Sequence, residues 1–440
     1  MAGRRSHHES GEGKARRAQS PKQVRGFARG HGAHHRHQPG KGAPRPVGSG
    51  RDRTETGARR NDFERLGDDD LSDLSSSEKK SNVERSIEEL GDAQGFGARM
   101  EGLPARGLVL EVRKGNFLTR MLGGQADLGG GGSDALWKAG GILRTVVRGT
   151  MQQFDLGLSS VVAPGDEIEV VVPPLSSSNE LYQSDLHAVL TKVLPRRSEF
   201  RRLHPSGRAI QTLAANASRV FVVASAGEPG FRPGFVDRVL VCAAASGLPA
   251  ALILNKIDLG VPEADEALLD VYRGLGIPVF KLSLLDSRSP RGDVEPLLRE
   301  LAGQRTVLTG HSGVGKSTLL LALDPQLNPE TVRTGEVSTQ TGKGTHTTTH
   351  ARLFNIALPG GAACEVIDTP GVREFTPADT DRRNLWGWFP EIARLQGQCA
   401  YADCTHAQGK GCAILAAVER GEIHPRRHQS YVRIYETLPN

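Results

Sequence analysis

The chain has 440 residues, 37% of them hydrophobic and 24% charged, and its formal net charge is +6. This length predicts two or three domains. No run reaches the roughly 18 consecutive apolar residues that a membrane helix needs, and no apolar stretch follows the basic residues at the start, so we expect neither a membrane span nor a secretory signal. Five cysteines, three of them close together, favour a reducing compartment, and we expect the protein in the cytoplasm.

Residues 1–103 are predicted to be a disordered tail, basic in its first part and acidic in its second. Residues 1–60 hold 15 Lys and Arg against 4 Asp and Glu, whereas residues 61–100 hold 5 against 11. A segment with so few aliphatic residues cannot bury enough apolar surface to offset its chain entropy. The basic part either binds nucleic acid through counterion release or is a solvated tail without a fixed partner.

Residues 104–180 are predicted to form an OB-fold β-barrel. Short runs rich in β-branched residues, such as 140–151 and 165–174, are separated by Gly and Pro, which indicates several short strands. Five basic residues on these strands form either a nucleic-acid-binding face or an ordinary solvated sheet face: Arg113, Lys114, Arg120, Arg144 and Arg148.

Residues 205–375 are predicted to form a doubly wound α/β domain. Apolar runs without alternation, such as 219–225, 250–255 and 305–310, are typical of buried parallel strands, and segments of helical period lie between them. Alternating strands and helices of this kind build a parallel sheet covered on both faces. Residues 376–440 are predicted to be a small helical domain that holds a cysteine cluster.

Residues 310–318, GHSGVGKST, contain the phosphate-loop pattern G-x-x-x-x-G-K-S/T. An apolar strand precedes the pattern and a helical run follows it, which is the context that the pattern requires. The glycines let backbone N–H groups turn toward phosphates at a helix N-terminus. Lys316 is expected to reach the β- and γ-phosphates, and the Ser317 hydroxyl is expected to bind Mg²⁺.

Residues 255–258, NKID, follow another apolar strand and predict recognition of guanine. The Asp258 carboxylate can accept hydrogen bonds from guanine N1–H and N2–H₂, which adenine does not present there, so the nucleotide is predicted to be GTP rather than ATP. Asn255 would support base recognition and the loop, and the Lys256 stem would cover the base. Ser283 ends the next strand and is a candidate for contact with guanine O6.

Residues 366–371, VIDTPG, end a third apolar strand. Asp368 is expected to hold the Mg²⁺ shell through water, and the Gly371 N–H to meet the γ-phosphate. The complete predicted GTP-binding set is Asn255, Lys256, Asp258, Ser283, Gly310, His311, Ser312, Gly313, Val314, Gly315, Lys316, Ser317, Thr318, Thr348, Asp368 and Gly371.

The order of these loops is reversed relative to an ordinary GTPase, in which the phosphate loop comes first and the base-reading loop last. Strand ends at one edge of a parallel sheet lie on the same side, so the order along the chain does not change the site. We therefore predict a circularly permuted GTPase domain, with the phosphate-sensing segments placed directly before the C-terminal tail.

The polar segment 334–354 is predicted to be a mobile loop that completes the Mg²⁺ site. Thr348 is the predicted Mg²⁺ ligand, with Thr347 and Thr349 as alternatives. Ras-like enzymes orient the attacking water with a Gln directly after the D-x-x-G glycine, but this chain has Val372 there. His346 is the candidate for that catalytic role, and the alternative is a solvated loop histidine.

Residues 399–412 contain Cys399, Cys404, His406 and Cys412 in the spacing C-x4-C-x-H-x5-C. Three thiolates and one imidazole predict a closed tetrahedral site for one structural Zn²⁺. Four protein ligands leave no position for a catalytic water, so the ion would stabilise a tail with little core. The alternative is a turn with reduced, unligated cysteines.

These motifs resemble those of the RsgA (YjeQ/EngC) family of circularly permuted GTPases over about residues 104–440. The matching segments are 255–258, 310–318, 345–353, 368–375 and the Cys/His cluster. The resemblance implies a GTPase that binds the small ribosomal subunit (30S) and its rRNA late in assembly and hydrolyses GTP to GDP faster there. It also implies that the histidine at 346 is catalytic. We expect a monomer with no membrane partner.

Two alternatives remain at this point. The chain could be an RNA-binding assembly scaffold that binds GTP and GDP with little turnover, since the water-orienting Gln is missing. It could also be a permuted GTPase of the large subunit, although the order of barrel, GTPase domain and zinc tail argues against this.

Overall fold

The computed structural model describes residues 102–113, 116–124, 140–147, 161–172, 187–204, 209–333, 351–369 and 375–438. All of these ranges belong to one structural unit of the chain, Asp73–Asn440. The predicted tail, residues 1–103, therefore lies outside the described residues except for its last two positions. None of the described helices has the length and apolar character that a membrane span requires.

The first five strands close into a barrel. They are β1 (Leu103–Arg113), β2 (Asn116–Gly124), β3 (Ile142–Val146), β4 (Glu167–Val172) and β5 (His187–Val193). The strands pair in the order β1-β2-β3-β5-β4, and β4 pairs back to β1; only β3 and β5 are parallel. Alternate residues point inward, as in β4, where Ile168, Val170 and Val172 are buried. The alternation seen in the sequence therefore reflects a closed sheet with one buried face.

One feature of the barrel differs from the sequence-based expectation, and it concerns where the barrel ends. The closing strand β5 lies beyond residue 180, where the predicted barrel ends, and it supplies Ala188 and Leu190 to the core. A segment of 14 residues whose structure is not described, 173–186, separates it from β4.

A mainly parallel sheet carries the second part of the fold. Its strands are β8 (Arg219–Ser225), β9 (Ala250–Asn255), β10 (Val279–Ser283), β11 (Arg291–Gly292), β12 (Arg305–Gly310), β13 (Arg352–Ala357) and β14 (Ala363–Asp368). They are ordered β11-β10-β9-β8-β12-β14-β13, with β11 and β13 antiparallel to their neighbours. Strand β9 precedes β12 in the chain, so the permuted order of the two nucleotide loops is present in the structure.

Helices cover both faces of this sheet. They are α1 (Pro233–Ala245), α2 (Glu263–Gly274), α3 (Val294–Leu301), α4 (Lys316–Leu323) and α5 (Pro329–Arg333), with a 3₁₀ turn at Ile257–Leu259. The parallel strands are buried on both sides because two apolar clusters flank them: one includes α1 and α2, and the other includes α3 and α4. This double burial explains the apolar runs without alternation.

A short hairpin lies between the barrel and the parallel sheet in the chain. It consists of β6 (Glu199–Leu203) and β7 (Ile210–Ala215). The ring of Phe200 packs 5.7 Å from that of Phe375, and both side chains are fully buried. The hairpin therefore holds the chain at the point where it enters the C-terminal region.

The barrel and the parallel sheet are joined through main-chain pairing. Strand β1 pairs with β13 at Glu111 and Arg352, whose side chains also form an ion pair at 3.2 Å. Glu365 of β14 accepts from Arg120 of β2 at 2.5 Å and from Arg305 of β12 at 2.6 Å. The two parts are thus one continuous sheet with charged cross-links.

The C-terminal region is built of short helices around a core of its own. They are α6 (Pro390–Ala393), α7 (Ala413–Glu419) and α8 (Pro425–Thr437), with a 3₁₀ turn at Leu385–Trp388. Their core includes Phe389, Ile414 and Tyr431, and it takes in Val241 from helix α1. Helix α1 therefore contributes to the cores on both of its sides. The two cysteines outside the predicted metal site, Cys242 and Cys364, are buried core residues.

Candidate nucleotide and metal sites

The phosphate loop joins β12 to α4 in the predicted manner. Gly313 and Gly315 have φ angles of 82° and 99°, and Gly315 is the residue that precedes helix α4. A β-carbon at Gly315 would lie 2.3 Å from Nδ2 of Asn255. Both the backbone angle and the close approach therefore require glycine here. The loop ends at a helix N-terminus, where free N–H groups favour an anion.

Lys316 and Ser317 begin helix α4 and are both buried. The Lys316 ammonium donates to the carbonyl oxygens of Gly310 and His311 at 3.0 and 3.1 Å, so it is held over the loop itself. The Ser317 hydroxyl is buried and has no hydrogen-bond partner among the described residues. A buried hydroxyl at this position is suited to bind a cation beside the phosphates.

Asn255 links the base-reading loop to the phosphate loop. Its Nδ2 donates to the carbonyl oxygen of Val314 at 3.0 Å, and its Oδ1 accepts from the backbone N–H of Leu284 at 3.3 Å. Its side chain is 2% exposed. Asn255 therefore links three loops by hydrogen bonds.

The predicted base-reading carboxylate is held by the next strand. Ser283 Oγ, at the end of β10, donates to Oδ1 of Asp258 at 2.6 Å. Lys256 adopts the left-handed conformation, with φ 63°, and its ammonium donates to the carbonyl oxygen of Glu228 at 2.5 Å. The loop after β8 thus forms a further wall beside the base-reading loop.

Asp368 ends β14 next to the phosphate-loop strand, where it pairs with Leu308 of β12. The following residue, Thr369, is fully buried, and both its N–H and its hydroxyl donate to the Leu308 carbonyl oxygen. The end of β14 is therefore fixed one strand away from the phosphate loop. Within the phosphate loop itself, the residues Ser312 and Gly313 are exposed.

Several predicted site residues cannot be compared with the structure. His346, Thr348 and its neighbours Thr347 and Thr349 lie outside the described residues, and so does Gly371. The described part of the site therefore contains the phosphate loop, the base-reading residues and Asp368.

The four predicted metal ligands meet in one place. The ligand atoms of Cys399, Cys404, His406 and Cys412 all lie within 4.8 Å of one another. The Nδ1 atom of His406 is 3.5 Å from Cys399 Sγ and 3.8 Å from Cys412 Sγ. Tetrahedral Zn²⁺ with bonds of about 2.3 Å to sulfur and 2.0–2.1 Å to nitrogen would separate such atoms by roughly 3.5 Å. The cluster can therefore hold a metal ion.

The chemistry of the thiols also favours a cation. Burial, together with hydrogen bonds to the Cys412 and Cys399 sulfurs, raises the pKa of the Cys404 thiol to about 11. Three thiols this close together cannot all ionise at neutral pH unless a cation offsets their charge. A divalent metal would supply that charge.

Helix α8 supports the loop that carries the Cys/His cluster through two contacts that the spacing of residues in the sequence does not reveal. The His428 Nε2 atom lies 2.7 Å from the carbonyl oxygen of His406, and Tyr431 donates from its hydroxyl to the Thr405 carbonyl at 3.1 Å. His406 itself has a φ of 59°. The two supporting residues are 22 and 26 positions along the chain from the residues that they contact, so only the identity of the ligands could be found from local spacing.

The proposed basic face of the barrel is smaller than the sequence indicates. Arg120 is 17% exposed and forms its ion pair with Glu365 of the parallel sheet, so it lies at the internal junction rather than on an open face. Arg113 pairs with Glu111 of its own strand at 2.7 Å. Lys114 and Arg148 lie outside the described residues. Arg120 therefore fits neither of the two alternatives, a nucleic-acid-binding face or a solvated sheet face.

The fold and the nucleotide site define a P-loop GTP hydrolase whose base-reading strand precedes its phosphate-loop strand. The family model described as RsgA GTPase matches residues 193–377. The small ribosomal subunit biogenesis GTPase RsgA of Chlorobaculum parvum is 39% identical over 282 residues, which are 64% of this chain and 86% of that protein. The chain belongs to the RsgA family of GTPases.

Other relatives agree with this assignment. The protein of the same name from Pseudomonas aeruginosa is 41% identical over 254 residues, covering 57% of this chain and 71% of that one. The crystal structure of YjeQ from Thermotoga maritima is similar at a TM-score of 0.50 and 25% identity, covering 76% and 98% of the two chains. The predicted family and the predicted GTP-hydrolysing activity are confirmed.

Proposed function

We propose that this protein is a GTPase of small ribosomal subunit biogenesis that binds the 30S particle and acts late in its assembly. It hydrolyses GTP to GDP and phosphate, and contact with the particle accelerates turnover. The observation that carries the proposal is the tie from Asn255 to Val314, which assembles the base-reading loop and the phosphate loop into one site. The printed name of its relatives, small ribosomal subunit biogenesis GTPase, supports the choice of particle.

Each side chain of the site has a part in this reaction. Asp258 reads the guanine edge and is held for it by Ser283. Lys316 and the loop N–H groups neutralise the phosphates. Ser317 would bind Mg²⁺, which supplies charge neutralisation of the β- and γ-phosphates when bound, and Asp368 would hold its water shell. Catalysis then consists mainly of positioning and electrostatic stabilisation.

The segment between α5 and β13 and the residues that follow β14 supply the remaining groups in this proposal. Thr348 would complete the Mg²⁺ site, and the Gly371 N–H would meet the γ-phosphate. His346 would orient the attacking water in place of the Gln that Ras-like enzymes use. Val372, at the Gln position, has no group that could do so.

We propose that the division of the chain follows these functions. The barrel is an OB-fold that contacts rRNA, and its strand order with a single parallel pair supports this assignment. We extend it from the predicted end at 180 to Val193 so that it includes β5. Residues 205–375 form the permuted GTPase domain, residues 376–440 form the zinc-binding domain, and residues 1–103 form a tail. The protein acts as a cytoplasmic monomer.

The function is tested by GTP hydrolysis with purified ribosomal subunits. The rate should be low for the protein alone, rise strongly with 30S and remain low with 50S. His346→Ala should lose the 30S-dependent increase, because no group would orient the water. His350→Ala is the matched control, since it removes a histidine from the same loop four residues later, and it should keep the increase.

Other outcomes of this experiment favour other functions. GTP binding without any response to 30S would favour an RNA-binding assembly scaffold that senses GTP and GDP with little turnover. A response to 50S alone would assign the protein to the large subunit. Equal losses in the two histidine variants would remove His346 from the catalytic role.

We expect one structural Zn²⁺ per chain at the Cys/His cluster. Purified protein should contain zinc at a ratio of about one by elemental analysis, since three thiolates and one imidazole match the ligand preference of zinc. Cys404→Ser should lower the zinc content and the melting temperature together. Cys364→Ser, which changes a buried cysteine outside the cluster, should leave the zinc content unchanged. Another metal, or full zinc content in the Cys404 variant, would contradict the assignment.

A further inference from the structure

Three aromatic rings connect the phosphate loop to the chain that follows the D-T-P-G motif. The ring of His311, the second residue of the phosphate loop, lies 4.0 Å from the ring of Phe235. Phe235 in turn lies 5.9 Å from Phe375, in an edge-to-face arrangement at 79°. The three rings therefore form a continuous row.

Phe375 is a fixed point in this row. It is fully buried, and a backbone hydrogen bond of 2.8 Å from Leu203 N–H to the Thr376 carbonyl holds the next residue. Its own carbonyl oxygen accepts from Arg238 of helix α1 at 3.4 Å, and the guanidinium of Arg202 lies over its ring at 5.5 Å. The hairpin and helix α1 thus clamp the chain at this position.

The other end of the row is equally constrained. His311 follows Gly310, which pairs with Val223 of β8 and where an added β-carbon would lie 2.4 Å from the Val223 carbonyl oxygen, so the start of the loop lies directly against β8. Burial, with the charges of Arg232 and Lys316, lowers the pKa of His311. At neutral pH the imidazole therefore meets Phe235 as an uncharged ring.

Phe235 stands between these two fixed points. It lies in the first turn of α1 and is 8% exposed, so its ring is enclosed by the loop on one side and Phe375 on the other. Asp368 begins the D-T-P-G motif, and Phe375 lies four residues after its glycine. A change in the size or shape of the side chain at 235 would alter the spacing between Phe375 and the phosphate loop.

We propose that Phe235 is a positioning residue for GTP hydrolysis, which sets the distance between the phosphate loop and Phe375. The inference rests on the proposed function in two respects, namely that the chain hydrolyses GTP and that the Gly371 N–H meets the γ-phosphate. In the proposed function the Gly371 N–H, four residues before Phe375, meets the γ-phosphate, which GDP lacks. The loss of the ring therefore reduces turnover and leaves GDP affinity unchanged.

The test compares Phe235→Leu and Phe235→Tyr with a control in the other apolar layer. Phe221 is 1% exposed and its ring lies 6.2 Å from that of Phe280, so Phe221→Leu removes a comparable buried ring pair that is not part of the row from His311 to Phe375. For each variant, kcat and KM for GTP, the Kd for GDP and the melting temperature are measured. Small displacements at a reacting centre are costly, and we expect kcat to fall about tenfold in Phe235→Leu.

The expected results distinguish a positioning role of Phe235 in hydrolysis from a general loss of protein stability. Phe235→Leu should keep its GDP affinity within about twofold, and Phe235→Tyr, which retains the ring, should restore kcat. Phe221→Leu should lower the melting temperature without a selective loss of kcat. The proposal is overturned if Phe235→Leu and Phe221→Leu have the same kcat, or if Phe235→Tyr is as slow as Phe235→Leu. A wild-type protein that binds GTP without hydrolysis would instead contradict the proposed function itself.

Discussion

Replacement of Lys316 by alanine is expected to lower kcat/KM for GTP hydrolysis about 100- to 1000-fold, the usual effect of removing one preorganised charge-stabilising donor. The Lys316 side chain is 2% exposed, and its ammonium lies against the carbonyl oxygens of Gly310 and His311. Without it, no described side chain of the phosphate loop carries a full positive charge. The charge that develops on the transferred phosphate would then have no counter-charge from the loop.

The measurement is steady-state hydrolysis of GTP, with circular dichroism and thermal melting to verify the fold. Lys410→Ala is a suitable control because Lys410 is an exposed lysine of the loop that carries the Cys/His cluster. It should keep the rate of the wild-type protein. If Lys316→Ala retained hydrolysis within about threefold, the assignment of the phosphate site would have to be abandoned.

The second large effect is expected for Arg427→Met, which should lower the free energy of unfolding by about 3–5 kcal/mol. Arg427 lies on helix α8 and is 3% exposed; its Nε donates to Glu391 at 2.6 Å, and it also pairs with Asp237 of helix α1. Tyr272 of helix α2 donates to the same Asp237 carboxylate at 2.7 Å. Methionine fills most of the space but leaves two buried carboxylates without their shared cation.

A second arginine gives a matched control for this prediction. Arg420 and Glu422 form an ion pair of the same 2.6 Å length, but both side chains are about half exposed. Exposed ion pairs contribute little because water and salt screen them, so Arg420→Met should leave the melting temperature unchanged. Chemical denaturation of both variants measures the difference. Equal losses of stability would show that burial is not what makes the Arg427 network important.

The parts of the fold that the sequence predicted are those defined by local patterns. The phosphate loop needs only nine consecutive residues and their flanking strand and helix, and the metal ligands lie within residues 399–412. Apolar runs without alternation identified the parallel strands because burial on both faces leaves no polar side of the strand. The permuted order followed directly from the positions of these motifs in the chain.

The parts that escaped prediction depend on partners distant in sequence. The ion pair of Arg120 joins residues 245 positions apart, so nothing near Arg120 in the chain indicated that it lies at an internal junction. Strand β5 follows a segment that separates it from β4, and its place in the barrel is determined by pairing with β3. The row from His311 to Phe375 likewise joins three separate segments. Such contacts are determined by packing and carry no short-range pattern.

The pairing of β1 with β13 has a mechanical consequence. The barrel is attached to the parallel sheet through neighbouring strands, reinforced by Arg352 on Glu111 and by Glu365 between two arginines. Strand β13 is also where the chain returns from the polar segment that contains His346. A load applied to the barrel is therefore transmitted across strands to the start of β13, and does not depend on the stiffness of the connecting chain. In this molecule the barrel is fixed directly to the side of the enzyme that contains the predicted nucleotide site.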